Sequence, residues 1–440
     1  MKQIVLSLLV MAVSIAATAQ TAQRQSPNYE AANWNTRLLD NPEQIVTAAP
    51  PATSKTELQL IKQRMAKLDA KKMEEIKYWD AGAPSYRWNQ IVLKLLSQKM
   101  DLMLRTPSAW MNMAIYDATI LAWKEKVRYK RIRPAAADPL LKPVVNTPLT
   151  YSYPCEHTVT AAAAAYMLAY FFPEKADSIF QLARAASQSR IDAGVQFPSD
   201  ADAGWKIGEE VAKKIIEKAK NDGSAIAWKG EVNKDPKKWT GAYPMGINLV
   251  SFTPMLLLSG NQFRPAAPPD FENDMKELKN SKKTFRSASL AYFWANNGPE
   301  LWNDLASQKM FEYHIAEDAP AAARIYTVLN TAFHEATIAI MDAKYAYWGI
   351  RPNQYDTTYK SLIPTPPFPG YPSGHAAGAG TNAAVMEYFF PADAKQFWQL
   401  AQDCADSRFY AGIHFRTDNE TGLKMGRELG EYIVQTWMKK

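Results

Sequence analysis

Cysteine is nearly missing from this chain. Two residues in 440 cannot build a disulfide framework, and Cys155 and Cys404 lie in different halves, at positions suited to buried, unpaired thiols. Glu156 beside Cys155 would raise that thiol's pKa, which argues against a reactive cysteine. A His-Glu-x-x-His zinc pattern and a Gly-x-x-x-x-Gly-Lys phosphate loop are both missing. Gly370-Tyr371-Pro372-Ser373-Gly374 misses the Gly-x-Ser-x-Gly elbow by one residue. No dense Lys/Arg run with interleaved aromatics occurs, so nucleic acid is not an expected partner. Beyond the N-terminus no stretch offers the roughly 20 uninterrupted apolar residues of a membrane span, and strand signals are scarce throughout.

The N-terminus carries Lys2, an apolar run from Ile4 to Ala16 and the small residues Ala17-Thr18-Ala19. This is the pattern of an export signal over residues 1–19, and it predicts a periplasmic or extracellular protein. Without that segment 50 basic residues face 44 acidic ones. The excess suits a small anionic ligand.

Two stretches repeat each other at an offset of 218 residues. Lys126, Arg133, Pro134, Pro154, His157, Ser189, Arg190, Gly194 and Asp200 return as Lys344, Arg351, Pro352, Pro372, His375, Ser407, Arg408, Gly412 and Asp418. Ala118-Thr119-Ile120 returns as Ala336-Thr337-Ile338, so the register extends beyond polar positions. Three differences separate the copies. Ser373 and Gly374 of the second are Cys155 and Glu156 in the first, and His414 is Gln196. Only the second copy looks chemically complete.

Within each copy the apolar period is helical. Ala161 to Phe172 and Ala376 to Phe390 are rich in alanine, while Ala394 to Phe409 and Gly422 to Met438 place apolar residues at three- and four-residue intervals. The expected fold is all-α, two tandem pseudo-symmetric helical bundles from an internal duplication. Its segments are an arm over 20–58, a degenerate first bundle over 59–222, a connector over 223–285 and a catalytic bundle over 286–440.

Lys344 and Arg351, seven apart, are expected on one face of one helix that Pro352 ends. His414 and Asp418, four apart, are expected to meet on another helix, with Ser407 on the same side. An Arg fork suits two oxygens of a phosphate-like anion, and Lys adds a point charge. Ser373 supplies a hydroxyl, Gly374 admits a backbone N–H, and a helix starting near His375 turns unpaired N–H groups toward negative charge. The set describes an oxyanion cradle. His314 and His334 fall outside it and read as a helix-surface and a core histidine. In the first copy Glu156 is expected to sit among Lys126, Arg133 and Arg190 as a built-in counter-ion, leaving that copy catalytically silent.

Lys344-x6-Arg351-Pro352, Pro372-Ser373-Gly374-His375 and Ser407-Arg408-x3-Gly412-x-His414-x3-Asp418 resemble the type 2 phosphatidic acid phosphatase and vanadium haloperoxidase superfamily. The resemblance covers the second copy and, in degraded form, the first. It implies that Lys344, Arg351, Ser373, Gly374 and Arg408 hold the oxyanion. It also implies that His375 is the acid-base residue, and that His414, oriented by Asp418, bonds to phosphorus or, as the metal ligand, to vanadate. Two reactions follow from it. One is halide oxidation by hydrogen peroxide with vanadate as cofactor. The other is phosphomonoester hydrolysis through a phosphohistidine, without cofactor. Pro366 to Tyr371 and His414-Phe415-Arg416-x-Asp418 resemble the haloperoxidase branch. The short interval from His375 to His414 is similar to that of compact bacterial acid phosphatases, and Met341 stands where some haloperoxidases carry a halide-binding aromatic. A non-catalytic anion-binding scaffold is the reading from another class, and the intact His375, His414 and Asp418 argue against it.

Overall fold

The computed structural model describes residues 27–53, 55–97 and 106–439. The export signal assigned to residues 1–19 lies outside the described residues. Every regular element among those described is helical, an all-α fold. The N-terminal half contributes α1 (Lys55–Met65), α2 (Ala70–Asp80), α3 (Pro84–Ser97), α4 (Thr106–Tyr129), α5 (Glu156–Phe171), α6 (Ala176–Asp192) and α7 (Pro198–Ala219). The C-terminal half contributes α8 (Glu272–Asn280), α9 (Phe285–Asn296), α10 (Pro299–Glu312), α11 (Ala319–Tyr347), α12 (Gly374–Phe389), α13 (Ala394–Tyr410) and α14 (Arg416–Met438). Helix starts follow capping chemistry. The side chains of Asp69, Thr284 and Asp318 accept backbone N–H bonds three residues on, and Pro84, Pro198 and Pro299 stand at first helical positions, where a missing N–H costs nothing.

Helices α12, α13 and α14 begin 218 residues after α5, α6 and α7. Each bundle is built around its alanine-rich helix. α5 packs on α4, α6 and α7, and α12 packs on α11, α13 and α14. Small residues let these backbones approach. A Cβ on Gly426 of α14 would come within 2.1 Å of the Ala377 carbonyl oxygen on α12. The long helices α4 and α11 pack against each other and join the halves. Buried asparagines mark the junction: Asn89 and Asn112 exchange bonds of 3.0 and 2.8 Å, and Asn303 and Asn330 exchange bonds of 3.2 and 2.9 Å.

The arm and the connector each contain a strap that belongs to the repeat. A 3-10 turn at Tyr29–Asn33 returns at Ile247–Ser251. Buried Asp117 on α4 accepts the N–H groups of Arg37, Leu38 and Leu39 at 2.7, 2.8 and 3.2 Å. Buried Glu335 on α11 accepts those of Met255, Leu256 and Leu257 at 2.8, 3.0 and 2.9 Å. Each carboxylate satisfies three otherwise orphaned donors, which compensates its own burial. The polar and proline content of these segments reads as linker because a carboxylate clamp leaves no periodicity. The recurrence of Leu38-Leu39 and Gln44 as Leu256-Leu257 and Gln262 was the available signal. Other connector residues tie down the end of α11 and the loop before α12: Tyr345, Tyr347 and Tyr371 donate their hydroxyls to the carbonyls of Met245, Pro265 and Ala266.

Candidate active site

Lys344 and Arg351 converge, but not from one helix. α11 ends at Tyr347, Trp348 turns into the left-handed region at φ 53°, and Arg351 caps a separate turn, Pro352–Tyr355. A left-handed cap ended the helix one turn earlier than the proline alone implies. Lys344 Nζ donates to the carbonyls of Pro369 and Gly370, both at 2.7 Å. Arg351 donates from Nε to Phe368 O at 3.0 Å and from Nη1 to Ile413 O at 2.7 Å and to His414 Nε2 at 2.9 Å. Arg408, in the last turn of α13, donates to Ser407 Oγ at 2.9 Å and to Ala291 O at 2.9 Å. All three cations are buried, and none has an acidic ion-pair partner among the described residues. Arg351 Nη2 is buried and has no hydrogen-bond partner there at all. Such a donor is costly to bury unless something else accepts from it.

Ser373 caps α12, its hydroxyl accepting from the Ala376 N–H, while its own N–H donates to Asp418 O at 2.9 Å. Gly374 is the first residue of that helix. A Cβ built on it would lie 3.7 Å from Lys344 Cε, in ordinary contact, so any longer side chain would enter the cradle. His375 follows, half-buried, in the first helical turn.

His414 and Asp418 do meet, again not on one helix. α14 begins at Arg416, so His414 lies in the loop after α13 and Asp418 is the third helical residue. Asp418 Oδ2 sits 2.9 Å from His414 Nδ1 and accepts the Phe415 N–H at 3.1 Å. Arg351 has only donors, so His414 Nε2 accepts from it and Nδ1 carries the proton toward Asp418. Burial, then Arg351, Lys344, His375 and Arg408, hold His414 well below the ordinary histidine range. His375 is pushed down to about 3 by burial and then by Arg408, Arg351 and Lys344. Both imidazoles are therefore neutral at pH 7. Burial pushes Asp418 up against the pull of Lys344 and Arg351.

A cavity of about 450 Å³ reaches this cradle. His375, His414 and Gly374 line it together with Trp294, Phe333, Ile340 and Phe368. The aromatic walls were not readable as site residues, because on α11 they continue the buried apolar face. Met341 does not line the cavity. It is buried beneath Gly246 of the strap, whose added Cβ would stand 2.7 Å from its methyl.

In the first copy Glu156 fills the cradle. Its carboxylate takes Lys126 Nζ at 2.8 Å, Arg133 Nη2 at 2.9 Å and Gln196 Nε2 at 3.2 Å. Burial alone would raise it, but Arg133 and Lys126 hold this carboxyl well below the usual carboxylate range. Arg190 does not join them. It pairs with Asp80 on α2 at 2.5 Å, a neighbour too distant in sequence to anticipate. Cys155 and Cys404 are free and buried, and burial followed by Glu156 lifts the Cys155 thiol to about 11. His334 is a core histidine; exposed His314 occupies a left-handed turn at φ 57°, not a helix surface.

Among the described residues no helix is long and apolar enough to cross a membrane, and no three His, Cys, Asp or Glu side chains gather to hold a bare metal ion. The PAP2 superfamily model matches residues 109–218, and the model of the VCPO second helical-bundle domain matches residues 394–440. No curated protein matches the chain. Among solved structures, a bacterial vanadium-dependent iodoperoxidase is 20% identical with a TM-score of 0.59, over 88% of this chain and 98% of that one. The holo form of a bacterial vanadium-dependent chloroperoxidase is 14% identical with a TM-score of 0.55, over 77% of this chain and 91% of that one. Its apo form gives 14% and 0.56, over 77% and 95%. The chain is thus similar to the PAP2 superfamily in its first half and to the VCPO second helical-bundle domain at its C-terminal end, and it shares the helical fold of these bacterial vanadium-dependent peroxidases.

Proposed function

We propose that this protein is a vanadate-dependent haloperoxidase whose reaction runs in the C-terminal cradle. One observation carries the reading. Lys344, Arg351 and Arg408 are buried without an acidic partner, and Arg351 Nη2 is left without any partner among the described residues. A tetrahedral oxyanion supplies the missing charge and the missing acceptor. The residues fit vanadate. Lys344, Arg351, Arg408, Ser373 and the Gly374 N–H would hold its oxygens, and His414 Nε2, kept unprotonated by the Nδ1 contact with Asp418, would exchange its bond from Arg351 Nη1 for the role of direct protein ligand. When bound, vanadate supplies the centre at which hydrogen peroxide oxidises halide, X⁻ + H₂O₂ + H⁺ → HOX + H₂O.

The chain's own groups then divide the work. The cations draw halide and anionic oxygens into a pocket where burial strengthens each contact. Neutral His375 takes a proton from peroxide at a ring nitrogen and returns it to the departing oxygen. Asp418 keeps the proton of His414 on Nδ1.

A phosphomonoesterase draws on the same features, because an unprotonated His414 Nε2 is also a nucleophile for phosphorus. Purified protein assayed in parallel separates the two. Loaded with vanadate, it is expected to brominate or iodinate a phenolic dye with peroxide, with little release of phosphate from a phosphomonoester. Efficient hydrolysis without halide oxidation would overturn the haloperoxidase reading, and inactivity in both assays with retained anion binding would leave a scaffold.

A further inference from the structure

Halide and peroxide are far smaller than the cavity above the cradle. Its volume of about 450 Å³ lies in the range of small-molecule sites. Apart from Ser97, Asn297, Glu300, Thr337 and the two histidines, its walls are largely apolar and offer such reactants little. Phe333, Thr337 and Ile340 lie four and three residues apart and so line it from one face of α11, while Trp294, Trp302 and Phe368 close other sides. Phe333 is half-buried, although Ala332 and His334 beside it are buried. Its ring rests on α12 where Gly378 leaves room. A Cβ on Gly378 would stand 2.7 Å from Phe333 Cε2. Gly378 has ordinary helical backbone, so it is the ring, not the chain path, that uses the missing side chain.

The first copy lacks part of this surface. Ile115, Ala122, Thr150 and Thr160 stand 218 residues before Phe333, Ile340, Phe368 and Gly378. Phe333 and Phe368 thus accompany the complete cradle, whereas Trp294 has a counterpart in Trp79, because Ile76 and Ala291 accept equivalent bonds from Arg190 and Arg408; such a lining gains free energy from a partner with apolar area to bury.

We propose that the cavity binds the organic halogen acceptor, an uncharged aromatic molecule of about one ring such as a phenol, between Phe333 and Trp294 and above His375. The transfer rests on the haloperoxidase reading. In ArH + HOX → ArX + H₂O the O–X and C–H bonds break, the C–X bond forms, and the ring proton leaves in water. Acceptors held there meet hypohalous acid before it diffuses away, which makes the cavity a selector of substrates. Phe333 and Gly378 are its specificity-determining pair.

The probe is 4-bromophenol, titrated calorimetrically into the protein without vanadate or peroxide, so that binding is read apart from turnover. Wild type is expected to take up one molecule per chain with a dissociation constant below about 1 mM. Phe333→Ala removes the wall and is expected to weaken binding at least tenfold. Gly378→Ala forces the same ring out of its seat and is expected to weaken it at least threefold. Thermal unfolding of each variant confirms that it is folded. Absence of saturable binding by wild type, or affinity unchanged in both variants, overturns the proposal even if halide oxidation is found. Saturable binding that both variants weaken supports the site even where halide oxidation is absent, and then the haloperoxidase reading alone falls.

Discussion

The two cradles share a backbone and differ in what neutralises their cations. In the first, Glu156 lies between Lys126 and Arg133, and Asp80 holds Arg190. In the second, Gly374 takes the place of Glu156. Ile76 and Ala291 accept the same bond from Arg190 and Arg408, so Ala295 stands where Asp80 does. The buried aspartates follow the same rule. Asp200 is engaged by Arg131 and Ser152, and those positions are Gly349 and Gly370 in the second copy, which leaves Asp418 for His414. A cradle that satisfies itself is a buried salt-bridge network. The same cradle stripped of its internal partners keeps an unmet charge, and the proposed anion binding rests on that charge.

The largest effect expected from this contrast is on turnover. His414→Ala is expected to abolish it, whereas Asp418→Ala lowers it only in part, since the carboxylate orients the imidazole without bonding to the reacting centre. Gln196→Ala, at the matching place in the first copy, is expected to leave turnover per folded molecule intact. Initial rates of the three variants check this, and full activity in His414→Ala would remove the mechanism.

Next comes stability. Glu156→Gln leaves Lys126 and Arg133 buried without a counter-charge, and breaking one side of such a pair costs about 3 to 5 kcal/mol. Denaturant unfolding measures the loss, and turnover per folded molecule is expected to be unchanged. An unaltered unfolding midpoint would remove the counter-ion role.

A pH effect follows from His334, which burial alone pushes down to about 4. The unfolded chain binds that proton near pH 6.5 and the folded chain resists it. Its contribution is therefore present above pH 6.5 and lost as pH falls toward 4, by at most about 3 kcal/mol. His334→Phe is expected to reduce the slope of stability over that window, to which His157, His375 and His414, also held below the ordinary histidine range, contribute as well. An identical slope in the variant would mean that other groups carry it.

The smallest effect is on affinity. Removing one charged donor by Arg408→Ala is expected to cost about 1.5 to 3 kcal/mol of vanadate affinity, more than tenfold, while Arg190→Ala costs none. Vanadate titrations of both proteins compare the copies directly.

Lys344, Arg351, His375, Arg408 and Asp418 were legible because each recurs at a fixed offset, and Ser373, Gly374 and His414 because they differ from the first copy within that register and are of types that an oxyanion needs. Their supports were less so. Spacing placed Lys344 with Arg351, and His414 with Asp418, on shared helices. A left-handed Trp348 and a loop before α14 break both helices, and convergence is restored by tertiary packing. The partners of Arg190, Asp117 and Glu335 lie about 80 to 110 residues away, beyond what local pattern carries. The apolar walls at Phe333 and Ile340 were hidden because a cavity face and a core face have the same helical period.

Of two similar cradles, only the second is proposed to be open to an anion. Calorimetric titration of the whole protein with vanadate counts the open ones. One vanadate per chain is expected, bound at least tenfold more weakly by Arg351→Ala. Two vanadates per chain, or an affinity that Arg351→Ala leaves unchanged, would refute that proposal.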